Sequence, residues 1–195
     1  MLELEVKAIV PDAEALRAAL RRAGATVQWA GIMRDRRLDQ QGRFSERDEV
    51  VRVRAYEGEP TQTVIGWKGR TMRTAEGHKA REELEFHGHD DAAMAMQLLA
   101  RLGFETVHAI DRRIETWSLD AATLRLEWYP RMDILLEVEG CAEAIERVIP
   151  ATGIPRDAFT TDNLLTFAAR YRERTGRASA VNEAELGGAP AVWGP

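Results

Sequence analysis

A single cysteine, Cys141, occurs in 195 residues, so no internal disulfide can form and a reducing compartment is the expectation. No stretch of about 18 apolar residues and no N-terminal apolar signal segment is present, which gives no sign of membrane spanning or secretion and leaves a cytoplasmic location as the expectation. Basic charge is not in excess either. With 27 Lys+Arg against 32 Asp+Glu, the chain lacks the dominant positive surface that a nucleic-acid or anionic-membrane binder needs. Neither GxxxxGK[ST] nor GxGxxG occurs, which excludes the P-loop and the Rossmann phosphate cradle.

What the chain does have is charge of both signs, 30% of residues, in alternating patterns. Leu2 to Ala8 alternates strictly, with Glu3, Glu5 and Lys7 on one face and apolar residues on the other, and predicts a strand. Similar alternations cover 51–54, 63–68, 81–86, 124–127 and 135–139. Helices are predicted after Pro11-Asp12 (apolar Leu16, Ala19, Leu20, ended by Gly24), over about 91–102 (stripe Met94, Leu98, Leu102), over about 142–149 before Pro150, and from Thr161-Asp162 onward. The pattern Glu-x-Glu then helix occurs three times, at Glu3/Glu5, Glu83/Glu85 and Glu137/Glu139, and suggests pseudo-equivalent halves. Residues 1–175 read as one domain, and 176–195, small and aperiodic, as a mobile tail.

Strands with one charged and one apolar face, together with helices that carry their own apolar stripes, fit an α+β fold in which the sheet curls into a barrel with helices outside and charges inside. An interior so lined is costly when dry, because each buried ion costs several kcal/mol unless paired. It must hold water, metal or a charged ligand. Carboxylates suit Mg²⁺ or Mn²⁺ and Lys/Arg suit phosphate oxygens, so a metal-bound polyphosphate matches both signs. A purely structural ion-pair network matches the same residues. His87-Gly88-His89-Asp90-Asp91 reads as a polar helix-capping turn, Cys141 as a packed small residue, and Trp29, Trp67, Trp117 and Trp128 as packing between sheet and helices.

Several blocks in order resemble the CYTH superfamily, which joins class IV adenylate cyclases, thiamine triphosphatase and the triphosphate tunnel metalloenzymes. Glu3-x-Glu5-x-Lys7 resembles its ExExK signature, Asp35-Arg36-Arg37-Leu38-Asp39 its D-x-Y-x-D segment, and Val51-Arg52-Val53-Arg54 its LRxR strand. Trp67-Lys68-Gly69, Arg81 to Glu85, Glu137-Val138-Glu139 and Thr161 to Leu165 are similar to later blocks. The resemblance implies an eight-stranded antiparallel β-barrel forming a tunnel. It implies metal binding by Glu3, Glu5, Glu137 and Glu139, with Glu83, Glu85 and Glu127 as further acidic wall. It implies triphosphate binding by Lys7, Arg52, Arg54, Lys68, Arg81, Arg112 and Arg125, with Arg113 or Ile114 in the second place of a K-x-R strand. Lys7, Glu5 and Glu137 are the expected catalytic groups.

The same resemblance implies Mg²⁺ or Mn²⁺ as cofactor and a small-molecule triphosphate as substrate, with no nucleic-acid or membrane partner; relatives of this size suggest a homodimer. Hydrolysis of tripolyphosphate or of a nucleoside or organic triphosphate is the leading expectation. The rivals are conversion of ATP to cyclic AMP and pyrophosphate, and a non-catalytic polyphosphate- or nucleotide-binding module.

Overall fold

The structure is a computed structural model that describes residues 4–73, 79–89, 91–191 and 193. In chain order its elements are β1 (Leu4–Ile9), α1 (Ala13–Arg22), β2 (Thr26–Asp39), β3 (Val50–Gly58), β4 (Gln62–Lys68), β5 (Met72–Arg73), β6 (Lys79–Ala80), β7 (Glu83–Gly88), α2 (Ala92–Arg101), β8 (Glu105–Leu119), β9 (Ala122–Trp128), β10 (Leu135–Gly140), α3 (Ala142–Thr152) and α4 (Leu164–Thr175). Eight strands form one antiparallel sheet in the order β1-β10-β9-β8-β2-β3-β4-β7, and β5 pairs with β6. The α+β class is as expected. The sheet order, however, is linear, and among the described residues no hydrogen-bonded pairing joins β1 to β7, so closure into a barrel is not present in the strand pairing. At β1 the outer edge is taken by Thr160, whose backbone exchanges both hydrogen bonds with Lys7 at 2.8 and 2.9 Å.

Two compact units divide the chain. One comprises residues up to Ala30 and those from Arg112 onward; the other spans Gly31–Asp111. In the first, the apolar face of β1, β10 and β9 (Val6, Ala8, Leu136, Val138, Leu124, Leu126) is covered by Leu16 and Leu20 of α1 and Ile145, Val148 and Ile149 of α3. Helix α1 begins where the Asp12 side chain accepts a hydrogen bond from the Ala15 N–H (2.9 Å), and it gives way to Gly24 at φ 85°, a conformation that favours glycine. Trp117 and Trp128 are buried here, with the guanidinium of Arg17 5.0 Å from the Trp128 ring while it bonds both oxygens of Glu115 at 2.9 and 2.7 Å. Leu20 is fully enclosed in this core. Leu20→Ala should lower stability by about 2–5 kcal/mol, read as a lower urea midpoint with an unchanged slope.

The second unit is thinner. Helix α2 packs Ala92, Ala95, Met96 and Leu99 against Val51, Val53, Ile65 and Trp67. The expected stripe of Met94, Leu98 and Leu102 is exposed instead. These residues recur every four positions and satisfy the helical period, but the small Ala92 and Ala95 allow the closer approach, and packing selects that neighbouring face.

Two further expectations are corrected. Helix α3 runs through Pro150 and ends at Gly153, at φ 72°. Cys141 is exposed at the N-terminus of α3, not packed. Beyond α4, Arg131 and Ala180 exchange backbone bonds at 3.0 and 2.8 Å, and Ala180, Val181 and Leu186 are buried.

Candidate functional site

Opposite the helix-covered face, the first unit presents a charged one. Antiparallel register sets Lys7 against Glu137, Glu5 against Glu139, Glu137 against Arg125, and Leu135 against Glu127. Directly opposed residues share a face, so Glu5, Lys7, Glu137, Glu139, Arg125 and Glu127 stand on one side of the sheet. Because the Lys7 backbone bonds outward to Thr160, Lys7 and Glu137 meet as a non-hydrogen-bonded pair, the closer of the two antiparallel pairings. The Lys7 ammonium lies 2.8 Å from Glu5 Oε1 and 3.0 Å from Glu137 Oε2. Arg125 bonds the other Glu137 oxygen and approaches Glu139 at 3.7 Å. Glu137 is thus the hub of a chain of alternating charges from Glu5 to Glu139.

Deeper on the same face, Arg112 donates to Glu127 Oε1 at 2.7 Å, and the Tyr129 hydroxyl donates to Glu127 Oε2 at 2.5 Å. Burial pushes the Glu127 carboxyl up, and the Glu137 charge adds to the effect despite Arg112. Burial acts the same way on Glu137, yet Arg125 and Lys7 outweigh it and hold that carboxyl at about 2. Burial would lower Lys7, but Glu137 and Glu5 raise it, so it is an ammonium at neutral pH.

The second unit has its own charged face. Register sets Asp35 against Arg54, Arg37 against Arg52, Gly66 between Arg52 and Glu85, and Lys68 against Glu83. Arg54 Nε bonds Asp35 Oδ2 at 2.9 Å, Arg52 Nη2 reaches Glu85 Oε1 at 3.1 Å, and Lys68 bonds Glu83 at 2.5 Å. Burial lowers both Lys68 and Arg52, reinforced by the neighbouring guanidinium in each case, Arg52 for Lys68 and Arg54 for Arg52. This face carries Arg37, Arg52, Arg54 and Lys68 against three carboxylates, whereas the first unit's carries four carboxylates against Lys7, Arg112 and Arg125.

Most residues expected from sequence fall on these two faces. Glu3 lies outside the described residues. Arg81 precedes β7 and is tied to the loop carboxylate of Asp48 (2.5 Å) and to Thr71 Oγ1 (3.0 and 2.7 Å). Arg112 and Ile114 share the charged face, while Arg113 points to the helix side, 5.5 Å from the Trp128 ring centre; of the two residues offered for the second K-x-R place, Ile114 holds the position and brings no charge. Asp39 ends β2 on the parity of Asp35 and Arg37, with its carboxylate taken up by the loop that follows. Although burial would raise its carboxyl, hydrogen bonds from the Phe44, Ser45 and Gln40 N–H groups hold it at about 2, so it anchors the loop that follows.

Three residues on these faces received no role in the sequence reading. Tyr129 continues the Arg125, Glu127 alternation by one more step; Asp35 alternates with Arg37; and Arg37 stands where the family pattern has tyrosine. Period two was the available signal for each.

Among the described residues no three carboxylate or imidazole groups converge as a ready metal cluster. The donor chemistry still fits a hard divalent cation. Glu5 and Glu139 oppose each other directly, Glu5 is largely exposed, and a magnesium ion that keeps several waters needs only one or two carboxylates.

Comparison with curated protein sequences returns no match. Solved structures are similar in fold. A Vibrio parahaemolyticus protein described as a candidate adenylate cyclase superposes with TM-score 0.70 at 12% identity, over 87% of this chain and 98% of that one. The PH1819 protein of Pyrococcus horikoshii gives 0.65 at 20%, over 90% and 99%. A Hippeastrum protein, HpAC1, whose description reports a dominant triphosphatase activity, gives 0.60 at 16%, over 91% and 97%. A sequence model of the CYTH domain matches residues 1–149, more than half of the chain. With its signature strands carrying the charged faces just described, the chain belongs to the CYTH family.

Proposed function

We propose that the protein is a divalent-metal-dependent triphosphatase that cleaves the terminal phosphoanhydride of inorganic tripolyphosphate or of a nucleoside or organic triphosphate. The observation that carries this reading is the retention of largely buried ions, Lys7, Glu137, Glu127, Arg112 and Arg52, on sheet faces turned away from the helices. Stability alone does not favour them, since a buried ion pair is often no better than an apolar pair of similar volume. A ligand bearing both metal and phosphate gives them a use.

In this reading Glu5, Glu137 and Glu139, with Glu3, hold Mg²⁺ or Mn²⁺, while Arg37, Arg52, Arg54 and Lys68, with Arg81 from the adjoining loop, bind phosphate oxygens. The bound metal supplies charge neutralisation and acidifies water. Lys7, held as an ammonium between two carboxylates, donates hydrogen bonds and is no general base. Glu137 is ionised and fixes both Lys7 and Arg125. Glu127 is enclosed by Arg112 and Tyr129 and serves to hold them, with no open path for proton transfer. Water oxygen bonds the terminal phosphorus, the bond from that phosphorus to the bridging oxygen breaks, and the proton leaves to solvent with the products. Positioning and charge supply the catalysis.

The experiment is a panel of tripolyphosphate, ATP, GTP and thiamine triphosphate with Mg²⁺ or Mn²⁺, assayed for orthophosphate, pyrophosphate and cyclic AMP. Metal-dependent orthophosphate release is expected. Cyclic AMP with pyrophosphate from ATP would replace this reading with cyclisation, and calorimetric binding of tripolyphosphate without any product would replace it with a binding module.

A further inference from the structure

Gly66 lies in the middle of β4, where glycine weakens a strand and offers no side chain to pack. Its φ is outside the left-handed region, so the backbone does not demand glycine. The register places it directly opposite Arg52 on β3 and Glu85 on β7. A Cβ built there would stand 3.3 Å from Arg52 Nε, 3.4 Å from Arg52 Cγ and 3.7 Å from Glu85 Oε1. The space above Gly66 is therefore filled by the Arg52 side chain itself. Strands two apart are separated by about 9–10 Å, and Arg52 spans that gap by lying flat across β4 to reach Glu85 at 3.1 Å.

We propose that Gly66 is a positioning residue for Arg52, and that Glu85 is its partner in that role rather than a metal ligand. The missing side chain lets the guanidinium lie down on the sheet, and Glu85 fixes one end of it. In that posture Arg52 is nine-tenths buried and its Nε–H has no hydrogen-bond partner among the described residues, a donor that a bound anion would satisfy. A Cβ at position 66 forces the Arg52 side chain to give by a few tenths of an ångström, which shifts the planar fork against Glu85, and a guanidinium binds phosphate through the orientation of that fork. The acceptor is a phosphoryl oxygen of the triphosphate, so the inference rests on Arg52 being a phosphate contact.

Calorimetric titration of tripolyphosphate into wild type, Gly66→Ala, Arg52→Ala and the double variant, with thermal unfolding of each, separates the possibilities. Gly66→Ala should raise Kd about tenfold while Tm stays the same or rises, because alanine suits a strand better than glycine. Arg52→Ala should weaken binding by at least as much, and the double variant should bind no worse than Arg52→Ala. Wild-type affinity in Gly66→Ala beside a weakened Arg52→Ala would overturn the role of Gly66 and leave the phosphate contact standing. Wild-type affinity in Arg52→Ala would sink the phosphate contact itself. Loss of Tm or of folding in Gly66→Ala, or further weakening in the double variant, would make Gly66 a packing residue and end the proposal.

Discussion

Glu137→Gln is expected to cut phosphate release from tripolyphosphate by roughly 10²–10³-fold while leaving a folded protein. Glutamine keeps the shape but removes the charge on which Lys7 and Arg125 both converge. Each cation retains a second carboxylate, Lys7 that of Glu5 at 2.8 Å and Arg125 that of Glu139 at 3.7 Å, so neither is stranded and the variant still folds, at a stability lowered by the charge it has lost. The pH dependence carries an independent signature. A carboxyl held at about 2 in the folded protein and near 4.3 when unfolded contributes stability that is complete above the unfolded value and is lost as pH falls through the folded one. Between about pH 5 and pH 2, Glu137→Gln should therefore lose stability with falling pH less steeply than wild type. Wild-type turnover in a folded Glu137→Gln would remove the acidic positions from the chemistry.

Arg112→Met should have the largest effect on folding, about 3–5 kcal/mol or roughly 10 °C in Tm. Glu127 is fully buried, with Arg112 paired to one of its oxygens and Tyr129 bonded to the other. Stripped of the guanidinium, the carboxylate must stay charged in an apolar surround or take up a proton. Its folded value is already raised by burial and rises further without Arg112. For an acid so shifted the folded state holds the extra proton, so stability falls as pH climbs from the unfolded value through the folded one. The deficit of Arg112→Met should accordingly grow from pH 5 to pH 8, and adding Glu127→Gln should recover much of it. A deficit independent of pH would mean that Glu127 is not the group left unpaired.

The two faces of each strand were legible in the sequence because period two is local: Glu5 and Lys7, Arg52 and Arg54, Glu137 and Glu139 announce their side whatever the rest of the chain does. Helix ends were legible for the same reason at Asp12 and Gly24, the latter at a φ of 85°. Partners across the sheet were not. Nothing in a single strand says that Lys7 opposes Glu137, 130 positions later, or that Arg52 passes over Gly66 to Glu85. Arg113 and Ile114 could be told apart only once Arg112 had been given its side. The exposed stripe of α2 shows the complementary failure: Met94, Leu98 and Leu102 have the right spacing, yet the face that packs is decided by the surface it meets.

The family match stops at residue 149, but the first unit does not. Leu186, Ala189 and Pro190 line a cavity of about 370 Å³ together with Trp128, Tyr129 and Arg131. Tyr129 is the residue whose hydroxyl holds Glu127. The end of the family-model match is therefore not the end of the packing: residues 186–190 back a strand whose front carries the charges, and an amino-acid change more than fifty positions away from Glu127 in sequence has a short mechanical route to it.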